Sequence, residues 1–305
     1  MIKNQTLIAT PKVSVLMTCY NAASTIEESV RSVIAQTFTN WELVLVDDLS
    51  DDNSMELIEM LGDTRIKIKK LPTRNRRTKA LNQGFNLCRG EYIAVLDADD
   101  IAHPTRFEKQ VRLLDTEPSL VGVGTWFTNI DEHGRELSRS EFSSDPTATK
   151  RSLAYNSRLV HSSMMYRRES AEAFHGHDEK FDYAQDFALW LSLSEVGALT
   201  VIPEHLTKLR RLSNSMTLGS DYSLNLVGDA YVLYRRAQGL EGLRVIDRLK
   251  GMRTIGLYGL LYAWRSLRAG NVVRGIGLII TNFWAIPLAI IELLRKSLKS
   301  FNSVK

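Results

Sequence analysis

Tyr92-Ile93-Ala94-Val95-Leu96-Asp97-Ala98-Asp99-Asp100 decides the fold. The first five residues are an unbroken apolar run, the pattern of a strand buried on both faces, as in a parallel sheet covered by helices. Three carboxylates directly beyond such a strand are electrostatically costly. Like charges a few ångströms apart repel, and at least one pKa rises unless a cation sits among them. A hard divalent cation such as Mg²⁺ relieves the repulsion and completes its shell with substrate phosphates. The position suits it, because open α/β sheets bind ligands beyond the carboxyl ends of their strands. The plainer reading makes Asp99 or Asp100 an N-cap for the helix after Pro104.

Working outward, residues 13–18 read as a second buried strand, followed by a helix over 25–36 with Ile26, Val30, Val33 and Ile34 on one face. A strand over 42–46 ends in Asp47-Asp48. A helix over 54–61, a strand over 66–71 and a helix over 78–87, with Ala80, Leu81 and Phe85 inward, complete the run. This β-α-β-α order predicts a Rossmann-like, mostly parallel sheet covered by helices, with both acid pairs on one edge. Further on, strands are expected over 121–125, 160–166, 199–202 and 207–209, a turn at 131–134 and a helix over 187–193.

Beyond about residue 220 the pattern becomes helical: 224–238, 255–267 and 276–299. Residues 275–291 carry no charge and lie between Arg274 and the basic group Arg295, Lys296, Lys299. The stretch is at the lower limit for a membrane span. Asn282 and Pro287 interrupt it, and Glu292 follows. Trp284 and the basic flank favour an interfacial helix on a membrane surface. A hairpin packed on its own domain and a true span are the alternatives.

Among 305 residues, 44% are hydrophobic and 24% charged, the balance of an ordinary folded protein. A net charge of +4 suits anionic partners such as nucleotide phosphates or anionic lipid. No Lys/Arg block is long enough to argue for nucleic acid. Arg74, Arg76, Arg77 and Lys79 form a short cluster that reads equally as a solvated face or as a phosphate-steering flank. Cys19 and Cys88 have no Cys or His at metal spacing and read as packing residues in a reducing cytoplasm. The N-terminus lacks a secretory signal pattern. The expected location is cytoplasmic, peripheral at the inner face of the cell membrane.

An ordered set of motifs then gives the chain a resemblance. Val13-Ser14-Val15 with Tyr20-Asn21, Gln36-Thr37-Phe38 with Trp41-Glu42-Leu43, and Asp47-Asp48 with Ser50 and Asp52 open it. Ala80-Leu81-Asn82 with Gly84 and Gly90-Glu91-Tyr92-Ile93 lead into the acidic run, and Pro104, Arg106, Phe107 and Gln110 follow. His161-Ser162-Ser163 with Arg167, then Asp186 with Leu189-Trp190, come later. In these features, from Val13 to Thr217, the sequence resembles the family-2 glycosyltransferases with the GT-A fold.

The resemblance implies a GT-A catalytic domain over 1–219, with a nucleotide-sugar half at about 11–125 and an acceptor half at about 126–219. Residues 220–305 would be a helical extension. It implies transfer of a hexosyl or N-acetylhexosaminyl group, with inversion, from a UDP-type nucleotide sugar to a glycan or lipid-linked hydroxyl in surface polysaccharide or glycolipid synthesis. Asp97, Ala98 and Asp99 match the Asp-X-Asp in which two carboxylates hold Mg²⁺ or Mn²⁺. Thr18, Tyr20, Asn21, Asp47, Asp48, Lys79, Asn82 and Arg210 fall on the nucleotide-sugar side. Asp186 matches the general base, with His161, Gln185 and Trp190 on the acceptor side; read from the residues alone, Asp186 is also an N-cap candidate, His161 an interior histidine and Trp190 a core residue.

There are departures from the family pattern. Gln185 stands where Glu is frequent, and Leu212 follows Arg210-Arg211 where a His ligand is frequent. The Gln-X-X-Arg-Trp motif of processive synthases is absent after Trp190, which implies one sugar per encounter. Two other functions stay open on sequence grounds. One is a non-catalytic glycan- or nucleotide-binding relative. The other is a sugar nucleotidyltransferase, disfavoured because no Gly-rich basic loop follows the first strand.

Overall fold

A computed structural model describes residues 10–212 and 224–285. Four strands, β1 (Val13–Cys19), β2 (Trp41–Asp47), β3 (Ile66–Lys70) and β4 (Tyr92–Val95), run parallel in the order β3-β2-β1-β4. The helices between them are α1 (Ile26–Ile34), α2 (Ser54–Glu59) and α3 (Arg76–Phe85). Alternation along β1 sorts its side chains between two layers. Val13, Val15 and Met17 pack with Ile26, Val30 and Val33 of α1, whereas Leu16 packs with Leu81 and Phe85 of α3. Gly84 permits that second layer, because a Cβ there would meet Leu16 Cδ1 at 2.5 Å and Val46 Cγ2 at 2.8 Å.

The register sets the site. Cys19 pairs with Asp47 across β1 and β2, and Leu16 pairs with Val95 across β1 and β4. The carboxyl ends of the three strands, with both acidic groups, therefore share one rim.

The chain continues through β5 (Ile101–Ala102), α4 (Arg106–Thr116), β6 (Leu120–Ile130), β7 (Glu136–Ser140) and α5 (Pro146–Leu153). Then come β8 (Met165–Arg167), α6 (Arg168–Glu172), α7 (Gln185–Val196) and β9 (Ala198–Arg210). They extend the sheet as β4-β8-β6-β9-β5, with β7 paired to β6. β8 is antiparallel to β4 and β6, while β9 is parallel to β6. The turn expected at 131–134 closes the β6-β7 hairpin, with Gly134 N donating to Asp131 O at 3.1 Å.

Two expectations are corrected here. Residues 160–166 are not one strand: His161–Ser163 form a 3-10 turn, and β8 begins only at Met165. The polar run turns because its side chains serve nearby backbone, Ser163 Oγ donating to Val160 O and Ser162 Oγ accepting from Asp97 N. Conversely, the two short strands expected at 199–202 and 207–209 are one strand, β9. Its register with β6 slips where Thr125 pairs with Ile202 and Trp126 with His205. Pro203, which cannot donate to a ladder, lies in that slip and gave the appearance of a break.

The C-terminal helices are α8 (Leu224–Ala237), α9 (Val245–Arg268) and α10 (Val272–Asn282), followed by a 3-10 turn at Phe283–Ala285. α9 starts well before the expected Ile255. Asp247 accepts from Arg244 N at 3.1 Å, a charged start that hides the apolar period. The remainder of the helix expected to reach Lys299, including residues 286–291, lies outside the described residues. Among the described residues, no helix is long and apolar enough to cross a membrane. α8 enters the main core, with Tyr234 against Phe187 of α7 at 4.9 Å between ring centroids. Asn282, buried, reaches Tyr231 Oη at 3.3 Å and fastens α10 to α8.

Candidate active site

The acidic loop after β4 is anchored on three sides. The Thr25 and Ser29 hydroxyls on the α1 side both donate to Ala98 O, at 3.0 and 2.9 Å. Asp97 N donates to Ser162 Oγ at 3.1 Å. From the end of β9, Arg210 N donates to Asp100 Oδ1 at 2.8 Å and Arg210 Nε to Asp99 O at 3.0 Å. Neither Asp99 nor Asp100 caps a helix, since α4 begins after Thr105.

So held, Asp97, Asp99 and Asp100 each present a carboxylate oxygen within 4.8 Å of the others. The cost shows in their protonation. Burial, then repulsion from Asp97, pushes Asp99 up to about 6. Burial, then Asp99 and Asp97, raises Asp100 well above the usual carboxylate range. Asp97 goes the other way. Burial would raise it, but the Arg77 guanidinium (Nη2 to Oδ1, 2.5 Å) and His161 (Nδ1, 3.1 Å) hold it well below that range. Hard oxygens carrying surplus negative charge fit a divalent cation of the Mg²⁺ or Mn²⁺ type. All three could offer a ligand oxygen, and Asp100 Oδ1 also accepts from Arg210 N at 2.8 Å.

Asp186 stands in the first turn of α7, where its Oδ1 accepts from Phe187 N at 2.7 Å. Burial and the nearby Asp97 raise its pKa, opposed by His161, the Phe187 N–H and Arg77. The acidic loop and Asp186 therefore feel one another within a single charged cluster. Arg77 is its hub. Against the cost of burial, its charge is favoured by Asp97, Asp186 and Asp99. His161 Nδ1 lies 3.1 Å from Arg77 Nη2 and the same distance from Asp97 Oδ1. His161 Nδ1 either donates to Asp97 or accepts from Arg77, the role being set by the position of the ring proton. The Gln185 amide, with its oxygen toward the cluster, accepts from Arg77 Nε at 2.8 Å and donates to Asp182 O at 3.2 Å.

The β2 rim positions Arg77. Asp48 Oδ1 accepts from Asn75 N at 2.6 Å, and Oδ2 from Arg74 Nη1 at 2.8 Å. Arg74 in turn lies over the Tyr20 ring, 3.2 Å from its centroid. Arg76 takes a left-handed φ of 65°, uncommon for a non-glycine residue, as the chain enters α3. Asp47 Oδ1 accepts from Ser50 N at 3.0 Å, and Asn21 and Asp51 exchange bonds of 2.6 and 3.0 Å. Thr18, Tyr20, Asn21, Asp47 and Asp48 are thus gathered along the same rim as the acidic loop.

Other expected site residues are elsewhere or otherwise occupied. Trp190 has no exposed surface and packs edge-on against Tyr166, 5.9 Å between centroids, so it is core and not an acceptor contact. The buried Arg210 guanidinium donates to Asp99 O, Asp131 O and Glu132 O and pairs with Glu28 at 2.5 Å. It is a strut behind the acidic loop, not a diphosphate fork. Asn82 clamps the backbone of His177, donating to its carbonyl at 2.9 Å and accepting from its N–H at 2.8 Å. Lys79 is exposed, two positions beyond Arg77 and so on a different side of α3. The Ala98 carbonyl is taken by Thr25 and Ser29. The residue missed was Arg77 itself. It stood in the sequence as one of the cluster Arg74, Arg76, Arg77 and Lys79, ahead of the helix expected over 78–87, and nothing there set it apart from the other three.

The comparisons with known proteins agree with this geometry. The sequence model described as Glycosyl transferase family 2 matches residues 14–174. "Putative glycosyltransferase EpsE" of Bacillus subtilis (strain 168) is 31% identical over 238 residues, 76% of this chain and 84% of the relative. The crystal structure of S. aureus TarS in complex with UDP-GlcNAc superposes with a TM-score of 0.67 at 16% identity, over 90% of this chain and 82% of that one. The mannosyltransferase PcManGT from Pyrobaculum calidifontis, in complex with GDP-Man and Mn²⁺, gives 0.62 at 15% identity over 95% and 81%. The rim that gathers the acids at the ends of β2 and β4 thus belongs to a GT-A fold, and the chain belongs to glycosyl transferase family 2.

Proposed function

We propose that this glycosyltransferase moves a hexosyl or N-acetylhexosaminyl group, with inversion, from a UDP-type donor to a hydroxyl of a glycan or lipid-linked acceptor, one sugar per encounter. The observation that carries the reading is that Arg77 holds Asp97 of the acidic loop at 2.5 Å and Gln185, the neighbour of Asp186, at 2.8 Å. Fold neighbours solved with UDP-GlcNAc and with GDP-Man and Mn²⁺ support the donor class and the cation. The catalytic unit is 1–219, and the helices α8 to α10 follow it.

In this reading Asp97 and Asp99 hold Mg²⁺ or Mn²⁺. The cation, when bound, supplies Lewis-acid neutralisation of charge on the leaving diphosphate. Thr18, Tyr20, Asn21 and Asp47 line the nucleotide, and Asp48 fixes the entry to α3. Asp186 takes the acceptor proton as the oxygen attacks, and its raised proton affinity suits that work. Inversion places the attacking oxygen opposite the leaving group, so the base and the acidic loop face each other across the sugar. His161 and Gln185 keep Arg77 aligned between them. Incubating purified protein and Mn²⁺ with a panel of nucleotide sugars and glycan acceptors, and scoring released nucleotide, tests the proposal. Release from one or a few donors that stops with EDTA is expected. No release from any donor, or release unaffected by EDTA, contradicts it.

The base assignment has a pH signature. Asp186 must be ionised to accept a proton, so activity falls as pH drops through its pKa. With Mn²⁺ and donor saturating, the acidic limb of kcat is expected above the ordinary aspartate value of about 3.9. A limb at or below that value would contradict the raised Asp186.

The membrane contact is proposed at α10. Val273, Ile276, Ile280 and Phe283 are exposed on one side of the helix, Val273 at 88%, with Arg268 and Arg274 nearby in sequence. An apolar stripe edged by cations suits an anionic bilayer. The protein is expected to sediment with phosphatidylglycerol-containing vesicles and not with pure phosphatidylcholine. Val273→Ser/Ile280→Ser/Phe283→Ser is expected to remove most of that binding. Equal sedimentation of wild type and triple variant would reject this surface.

A further inference from the structure

Arg77 creates a conflict at the acidic loop. Its Nη2 lies 2.5 Å from Asp97 Oδ1, on one of the two carboxylates assigned to the cation. A guanidinium on Oδ1 draws charge from the carboxylate and repels a divalent cation approaching it, so it weakens that carboxylate as a ligand. Arginine does not lose its charge at any ordinary pH, so the competition is permanent. Arg77 is also seated, not straying. The Gln185 oxygen holds Nε at 2.8 Å, the His161 ring flanks Nη2 at 3.1 Å, and Asp48 fixes the preceding backbone through Asn75 N. The side chain is 24% exposed, so part of it stays accessible to an incoming anion.

We propose that Arg77 competes with the divalent cation for Asp97, so that the cation binds tightly only together with a nucleoside diphosphate. This rests on Asp97 and Asp99 being the cation's ligands. The diphosphate supplies what Arg77 lacks in the free protein, an alternative anion that its planar fork can grip with two bonds. When Arg77 turns to the diphosphate, Asp97 is released to the cation. Binding of the two ligands is therefore positively coupled, and by linkage each tightens the other by the same factor. The neutral Gln185 serves this exchange, because a carboxylate at 185 would add a second permanent anchor and hold Arg77 back.

The test is Mn²⁺ binding read from the electron paramagnetic resonance signal of the free ion, with no turnover required. Without nucleotide, Arg77→Gln is expected to bind Mn²⁺ at least tenfold more tightly than wild type, and the gain is expected to vanish in Arg77→Gln/Asp99→Ala. Arg77→Lys keeps the charge and is expected to stay near wild type. Adding UDP, or GDP if UDP does not bind, is expected to tighten Mn²⁺ in wild type and by a smaller factor in Arg77→Gln. The proposal is overturned if Arg77→Gln binds Mn²⁺ no better than wild type, if Arg77→Lys gains as much as Arg77→Gln, or if nucleotide tightens both equally. In those cases an Asp99→Ala single variant that loses Mn²⁺ leaves the ligand assignment standing. If Asp99→Ala binds Mn²⁺ as wild type does, with and without nucleotide, the ligand assignment itself falls.

Discussion

Asp186→Asn is expected to lower kcat by about 10³-fold, within the 10²–10⁴ that a positioned general base contributes. The substitution is nearly isosteric. The amide oxygen can still accept the Phe187 N–H that now bonds Oδ1 at 2.7 Å, so α7 keeps its first turn. What is lost is the only function a carboxylate adds there, uptake of the acceptor proton. Nucleotide and Mn²⁺ are assigned to the rim of β1, β2 and β4, so their affinity, measured by calorimetry, is expected to be unchanged. That division separates a base from a binding residue. If instead affinity falls and kcat survives within about tenfold, Asp186 positions ligand and another group takes the proton.

Asp99→Ala is expected to cost a similar factor through a different route. Charge neutralisation by a bound cation is worth several kcal/mol, and each 1.36 kcal/mol is a tenfold change in rate. A loss of about 10³-fold in kcat/KM is expected, with no recovery at high Mn²⁺. Stability is expected to move the other way. Asp99 is crowded by Asp97 and burial, which push its pKa up to about 6, and it raises Asp100 in turn. A carboxyl whose pKa is raised on folding destabilises the native state at pH values above that pKa. Removing it, in EDTA at neutral pH, is expected to raise Tm by about 2–4 °C, the shift of about 1 kcal/mol in a domain of this size. The gain should fade as pH falls below about 6, where wild-type Asp99 takes up its proton. Lower activity with unchanged or lower Tm would mean that the acids are already satisfied without a cation.

The parallel half of the fold was legible because β1, β2 and β4 are buried on both faces, and that burial writes itself as near-continuous apolar runs, while the edge strand β3 shows as an Ile-Lys alternation. The rim followed from the same fact, since acids at the ends of 42–46 and 92–96 must share an edge once the strands are parallel. Legibility fell where a residue's partner is distant. Trp190 lies on a helix buried on nearly every side, so no polar face marked which side meets the cleft. Arg210 looked like a ligand because an arginine on a strand does not reveal that three carbonyls and Glu28 already use its fork. Arg77 was one cation among four until Asp48, Asn75 and the left-handed Arg76 set the direction of α3. Backbone conformation decided that, and no side-chain pattern records it.

The most direct measurement is a crystal structure with UDP and Mn²⁺, the ion located by anomalous scattering at the manganese edge. The account predicts the ion bridging Asp97 and Asp99 to the diphosphate, with the Asp186 carboxylate facing the sugar side of the same cleft. Manganese bound away from both aspartates, or a diphosphate seated where Asp186 cannot face the sugar, would contradict it.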